Sequence, residues 1–168
     1  MITKKLLKNI ALYAVIIAFA IVAGFMIYKI YIKDRYTIAL NITKSLPDYF
    51  YIIDNQTHVD DLKNNQAISF KFDIENDRYY GKESNFIKII KCKEGDFLQN
   101  ENSVFKCNNK IIGVALPFDS QGAAIKSFDF NNKIPKDNYF VMGTAMNSYD
   151  SRYWGFVRKE KITGVIIW

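Results

Sequence analysis

Nineteen consecutive residues without a charge, Ile10 to Tyr28 (IALYAVIIAFAIVAGFMIY), constrain this chain more than anything else in it. As a helix the run spans about 28 Å, close to the hydrocarbon thickness of a bilayer. Tyr13, Tyr28 and Tyr31 fall where interfacial aromatic rings sit. The competing reading is a cleaved secretory signal, because Ala18-Phe19-Ala20 has the small-x-small form of a cleavage site. Further apolar or small residues run on to Lys29, which a secretory core does not need, so a transmembrane anchor is expected over residues 10–32. Residues 1–9 then form a short cytoplasmic tail, and residues 36–168 a single extracytoplasmic domain. Lys4, Lys5 and Lys8 precede the span and Lys29, Lys33 and Arg35 follow it, so the positive-inside bias is slight. The short tail and the full-sized C-terminal part favour the N-in, C-out orientation.

The formal charge is +6, and most of it flanks the apolar run. Residues 1–35 hold six basic residues against Asp34, a net of +5, which leaves +1 for the rest. That distribution suits anionic lipid headgroups. A nucleic-acid partner is not expected, since such a protein concentrates its charge on the folded domain. With 49% hydrophobic and 15% aromatic residues, the chain has the material for a packed core. Metal-ligand spacing is lacking, and the single histidine, His58, has no nearby ligand set and receives no role. Cys92 and Cys107 can form a disulfide in an oxidising compartment, worth about 3 kcal/mol by chain entropy, or remain two thiols in a reducing one. The C-out topology favours the disulfide.

Beyond the anchor the chain reads as short strands. Ala67 to Ile74 alternates, with Ile68, Phe70, Phe72 and Ile74 on one face. Asn85 to Lys91 is a second strand, and Ser103–Cys107 with Lys110–Val114 form a hairpin around Asn108-Asn109. Tyr139–Met142 and Ile162–Trp168 complete the set, with turns at Gly81, Glu94-Gly95-Asp96 and Pro135. Good helix patterns are absent after the anchor. The expected class is mostly β: one N-terminal transmembrane helix, then a compact antiparallel, barrel-like domain.

Three segments carry candidate chemistry. In Thr43-Lys44-Ser45-Leu46-Pro47, Pro47 fixes its own φ and biases Leu46 towards an extended backbone, so the loop can hold the Ser45 hydroxyl rigidly. Alone, it also reads as an ordinary turn. In the strand from Asn85, Lys88 shares a face with Phe86 and Ile90. Desolvation there lowers a lysine's pKa and makes it a base, and a serine hydroxyl needs such a base. The alternative is a lysine whose stem snorkels along apolar surface. In the late polar stretch Gly143 to Gly155, Asp150 and Arg152 can pair and Ser148 can orient a neutral amine; the alternative is a solvated turn.

The three segments, in this order and spacing, resemble type I signal peptidases. The family's motifs are a serine loop like Ser-x-Pro after an anchor, a lysine strand ending in Gly-Asp, and a late box ending Ser-x-Asp-Ser-Arg-x-x-Gly. Here these read Ser45-Leu46-Pro47, Phe86 to Asp96, and Ser148-Tyr149-Asp150-Ser151-Arg152-Tyr153-Trp154-Gly155, with Ile134 to Gly143 as the lead-in. The resemblance implies Ser45 as nucleophile, Lys88 as general base, Ser148 as the lysine-orienting hydroxyl, and Asp150 and Arg152 as supports. Thr43, two before the serine, matches the position of an oxyanion donor, beside the Ser45 amide. Departures are Thr144-Ala145-Met146 after Gly143, Ile89 after the lysine, and Glu94 in place of proline before Gly95-Asp96. The short serine loop, the Gly-Thr start of the late box and the short interval from Gly113 to Pro135 look more like the conjugative-transfer (TraF-type) branch, which processes pilin precursors.

The resemblance implies a Ser/Lys endopeptidase of the inner membrane, acting on precursors with small residues before the cut, with no metal or cofactor. Secretion-system assembly proteins are the other expected partners. A housekeeping signal peptidase for general secretion is the nearest alternative. A non-catalytic, membrane-tethered β-domain that scaffolds a secretion assembly is the alternative of another class.

Overall fold

A computed structural model describes residues 4–43, 45–57 and 59–168. His58, Lys44 of the serine segment and residues 1–3 of the expected tail lie outside the described residues. The chain divides into two units, Met1–Thr37 and Ile38–Trp168.

In the first unit, helix α1 (Lys4–Ile27) continues into a π-helical turn, Tyr28–Ile32. The helix begins before the expected anchor, because lysines propagate a helix as well as apolar residues do. Leu6–Ile32 is long and apolar enough to cross a membrane. Its large side chains, among them Leu12, Phe19 and Phe25, are exposed along the helix, an arrangement that water would penalise and lipid would not.

The second unit is antiparallel β, as expected. Its strands are β1 (Tyr36–Leu40, entering the unit at Ile38), β2 (Phe50–Asp54), β3 (Ala67–Lys71), β4 (Asn85–Lys93), β5 (Phe97–Glu101), β6 (Val104–Cys107), β7 (Lys110–Val114), β8 (Asn131–Lys133), β9 (Asn138–Met142), β10 (Val157–Arg158) and β11 (Ile162–Ile166). They form a seven-stranded sheet in the order β1-β2-β11-β3-β4-β9-β10 and a four-stranded sheet in the order β7-β6-β5-β8. A short α-helix, α2 (Ser151–Trp154), falls in the late box that the sequence suggested was a loop.

Turn chemistry fixes the hairpins. Asn108 and Asn109 between β6 and β7, and Asn102 and Ser103 between β5 and β6, all hold positive φ. This is the two-residue geometry whose twist matches paired strands. The alternation expected at Ala67–Ile74 is present, but β3 stops at Lys71. There Phe72 turns aside to pair its backbone with Ser84 and Glu83, although its ring stays buried.

Two clusters make the core. One gathers Ile68, Phe70, Phe72, Phe86, Ile90, Tyr139 and Val141; the other gathers Cys92, Leu98, Phe105, Ile134, Phe140 and Met142. Strand β9 serves both, its alternate side chains entering opposite clusters as a strand's geometry requires. Strand β4 changes cluster by a bulge: Ile90 pairs with Val141, yet Cys92 pairs with Phe140, one residue on. The extra residue sends Cys92 into the second cluster, where it is bonded to Cys107 of β6. The Cys92–Cys107 disulfide is therefore formed, and it ties the two sheets together.

Candidate active site

Lys88 is positioned by β4 itself. Residues 85–93 alternate strictly, with Phe86, Lys88, Ile90 and Cys92 buried and the intervening side chains partly exposed or exposed. Lys88 lies opposite Ile68 of β3, and its amine sits 5.7 Å from the Phe86 ring centroid. Only 4% of Lys88 is exposed. Burial lowers its pKa from 10.5 to about 8; Asp150 pulls it up and Arg152 pushes it down, both to a lesser degree. The amine donates a hydrogen bond of 2.9 Å to Ser148 Oγ. A neutral amine that donates one N–H this way has its lone pair directed elsewhere.

Ser45 is held by its backbone. Its carbonyl accepts from Thr144 N (2.8 Å), Thr144 Oγ1 (3.3 Å) and Ala145 N (3.4 Å). The rest of the loop is clamped: Asn41 Nδ2 donates to the carbonyls of Leu46 and Asp48, Asp48 N donates to the Tyr51 hydroxyl, and Leu46 is buried. Thr43 Oγ1 donates to Ser45 Oγ at 3.2 Å, so the hydroxyl expected to help the oxyanion stands beside the expected nucleophile.

Gly143 is where the serine and lysine sides meet. A Cβ there would lie 2.3 Å from Ser148 Oγ and 2.7 Å from the Ser45 carbonyl oxygen. Only glycine lets the hydroxyl that receives Lys88 and the backbone of Ser45 approach the same point. The two residues thus share one corner of the domain, although their segments are far apart in the chain.

Asp150 and Arg152 form the frame beneath. Asp150 caps α2 by accepting from Arg152 N, and it also accepts from Gly143 N at 2.9 Å. Its two oxygens take Arg152 Nε and Nη2, each at 2.8 Å. The guanidinium donates further to the carbonyls of Val114, Ala145, Met146 and Ser148. Both residues are buried, so the pair is a neutralised, fully hydrogen-bonded unit that shapes residues 143–148. All six expected site residues, Thr43, Ser45, Lys88, Ser148, Asp150 and Arg152, therefore converge. Gly143 was legible only as part of the late box; Tyr149, which joins that box to a distant loop, gave no signal in the sequence.

A sequence profile of the family described as signal peptidase, peptidase S26, matches residues 8–168. This chain belongs to the S26 signal peptidase family. Among similar curated proteins, the "Probable signal peptidase I-2" of Synechocystis sp. is 36% identical over 81 residues, covering 47% of this chain and 35% of that protein. The "Signal peptidase I" of Buchnera aphidicola subsp. Schizaphis graminum is 56% identical over 32 residues, covering 18% and 10%. The matches thus span about a third and a tenth of those relatives' lengths. A crystal structure of a signal peptidase I from Enterococcus faecalis V583 aligns with a TM-score of 0.43 at 20% identity, covering 64% of this chain and 98% of that one. In this family member the departures from the motifs are structurally absorbed: Thr144 and Ala145 grip the Ser45 carbonyl, and the Met146 carbonyl accepts from Arg152.

Proposed function

We propose that this chain is a membrane-anchored signal peptidase, a serine endopeptidase that removes leaders from exported precursors, with Ser45 as nucleophile and Lys88 as general base. The observation that carries this reading is the buried Lys88 amine, with its pKa near 8, donating to Ser148 at the corner where the Ser45 backbone docks. Neutral Lys88 takes the Ser45 Oγ proton as that oxygen attacks the scissile carbonyl. Thr43 Oγ1 and the Ser45 amide receive the oxyanion. The ammonium returns its proton to the leaving amine, and Lys88 then deprotonates the water that releases the acyl-enzyme.

Membrane anchoring is supported by α1 and by the exposed side chains of Ile38, Leu40, Ile42, Tyr49 and Trp168 around the β1–β2 edge, next to the serine loop. The formed disulfide favours a catalytic domain on the extracytoplasmic side of the inner membrane, where oxidation persists. Within the substrate class of precursors with small residues before the cut, the Gly143-Thr144 start of the late box and the short serine loop favour a conjugative propilin. A housekeeping role in general secretion fits the relatives named signal peptidase I as well.

The test is cleavage of both kinds of precursor by the full chain in detergent micelles. Ser45→Ala and Lys88→Ala should each lower the rate by roughly 1,000-fold or more. Cleavage undiminished in either variant would sink the peptidase reading. Faster cleavage of a general secretory precursor than of propilin would remove the conjugative assignment alone.

A further inference from the structure

Between Ser148, which receives the lysine, and Asp150, which holds the arginine, stands Tyr149. Its two neighbours are buried within the site, while its own ring leaves the box for the loop joining β3 to β4. There the phenol donates to Asp77 Oδ2 at 2.5 Å. Burial, and then Asp77, push the phenol's pKa far above its usual value, so it remains a donor at every working pH.

The far end of this bond is rigid. Asp77 Oδ1 accepts from Tyr79 N (2.8 Å) and Tyr80 N (2.9 Å), which locks the turn. Backbone bonds between Phe72, Glu83 and Ser84 close the base of the loop. Tyr79 donates through its hydroxyl to Asp119 Oδ2 at 2.7 Å, tying in a third loop that Asp119 also organises through Gln121 N and Ala123 N. Tyr149 stacks on Tyr80 and Tyr153 and meets Tyr79 edge-on. A ring so fixed leaves the backbone between Ser148 and Asp150 little freedom.

We propose that Tyr149, anchored on Asp77, is a positioning residue: it sets the depth of Ser148 and through it the direction of the Lys88 amine. This rests on the Ser45–Lys88 reading above. The loop from Asp73 to Ser84 is then part of the catalytic support, although none of its residues touches Ser45 or Lys88 in the hydrogen bonds described. The charged groups acting on Lys88 are Asp150 and Arg152, whereas the Tyr149 phenol bonds to Asp77.

The experiment compares Tyr149→Phe, Asp77→Ala, Asp77→Asn and the Tyr149→Phe/Asp77→Ala double variant as full chains in micelles, with an Ala-x-Ala precursor peptide as probe. Tyr149→Phe should lower kcat roughly tenfold with KM within about twofold. The rising limb of its pH–rate profile should also move to higher pH, because a looser amine admits water. Asp77→Ala should match it, Asp77→Asn should keep more activity through its remaining acceptor, and the double variant should be no worse than either single one. Three results would overturn the proposal: wild-type kcat in Tyr149→Phe, a fall in kcat with an unmoved pH limb, or additive losses in the double variant. Ser45→Ala runs beside them. If it is inactive while Tyr149→Phe is unimpaired, only the positioning role falls; if it is active, the peptidase reading falls first.

Discussion

Replacing Lys88 by methionine should make the protein more stable while abolishing its activity. The lysine's pKa is lowered from 10.5 to about 8 in the folded state. A shift of that size means that holding the ammonium in its slot costs about 3 kcal/mol relative to the unfolded chain. The cost is complete below about pH 8. It declines as pH rises from 8 towards 10.5, where the unfolded chain also loses its proton. Methionine has a similar unbranched stem and no charge, so it removes the penalty while still packing against Phe86 and Ile68. The lost hydrogen bond to Ser148 gives back about 1 kcal/mol. A net gain of about 2 kcal/mol remains, which for a domain of this size raises Tm by roughly 5–10 °C. Thermal unfolding of both full chains in micelles, followed by near-ultraviolet circular dichroism at about pH 7 and about pH 10, reads it out. The gain should be largest at the lower pH and shrink at the higher one. A lower Tm for Lys88→Met at pH 7, or a gain equal at both pH values, would refute the idea that this amine is held against its charged form.

Two further outcomes are expected. Removing the disulfide with Cys92→Ala/Cys107→Ala should lower stability by about 3 kcal/mol, since the bond closes a 15-residue separation, and should leave the pH dependence of cleavage unchanged; denaturant titration beside a pH–rate profile checks both. Gly143→Ala should reduce kcat by roughly 100-fold, because the new methyl would push Ser148 Oγ or the Ser45 carbonyl out of place; steady-state kinetics on correctly folded protein reads this directly.

Much of the candidate site was legible in the sequence because its residues lie in short, local patterns. Strand geometry along Asn85–Lys91 placed Lys88 on one face with Phe86 and Ile90, and the structure buries those same side chains. Asn108-Asn109 announced its hairpin because few other residues tolerate two positive φ values in a row. Strands such as β8 (Asn-Asn-Lys) and β10 (Val-Arg) gave no warning, since they are too short or too polar to alternate and exist only by pairing with β5 and β9. The bulge at Lys91 was equally silent, as it arises from β4 serving two cores. Helix α2 is a single turn nucleated by the Asp150 cap and closed by Gly155 at positive φ, too brief for any periodicity. The Tyr149–Asp77 bond spans 72 positions, and nothing local to either residue could have paired them.

The pH dependence of kcat/KM for the full chain tests the catalytic role of Lys88 most directly, because it reports the ionisation of the free enzyme's base. Cleavage should rise with a slope of one and reach half its plateau near pH 8, where burial places the amine. A profile that is flat through that region, or that reaches its midpoint near 10.5, would contradict a desolvated lysine acting on Ser45.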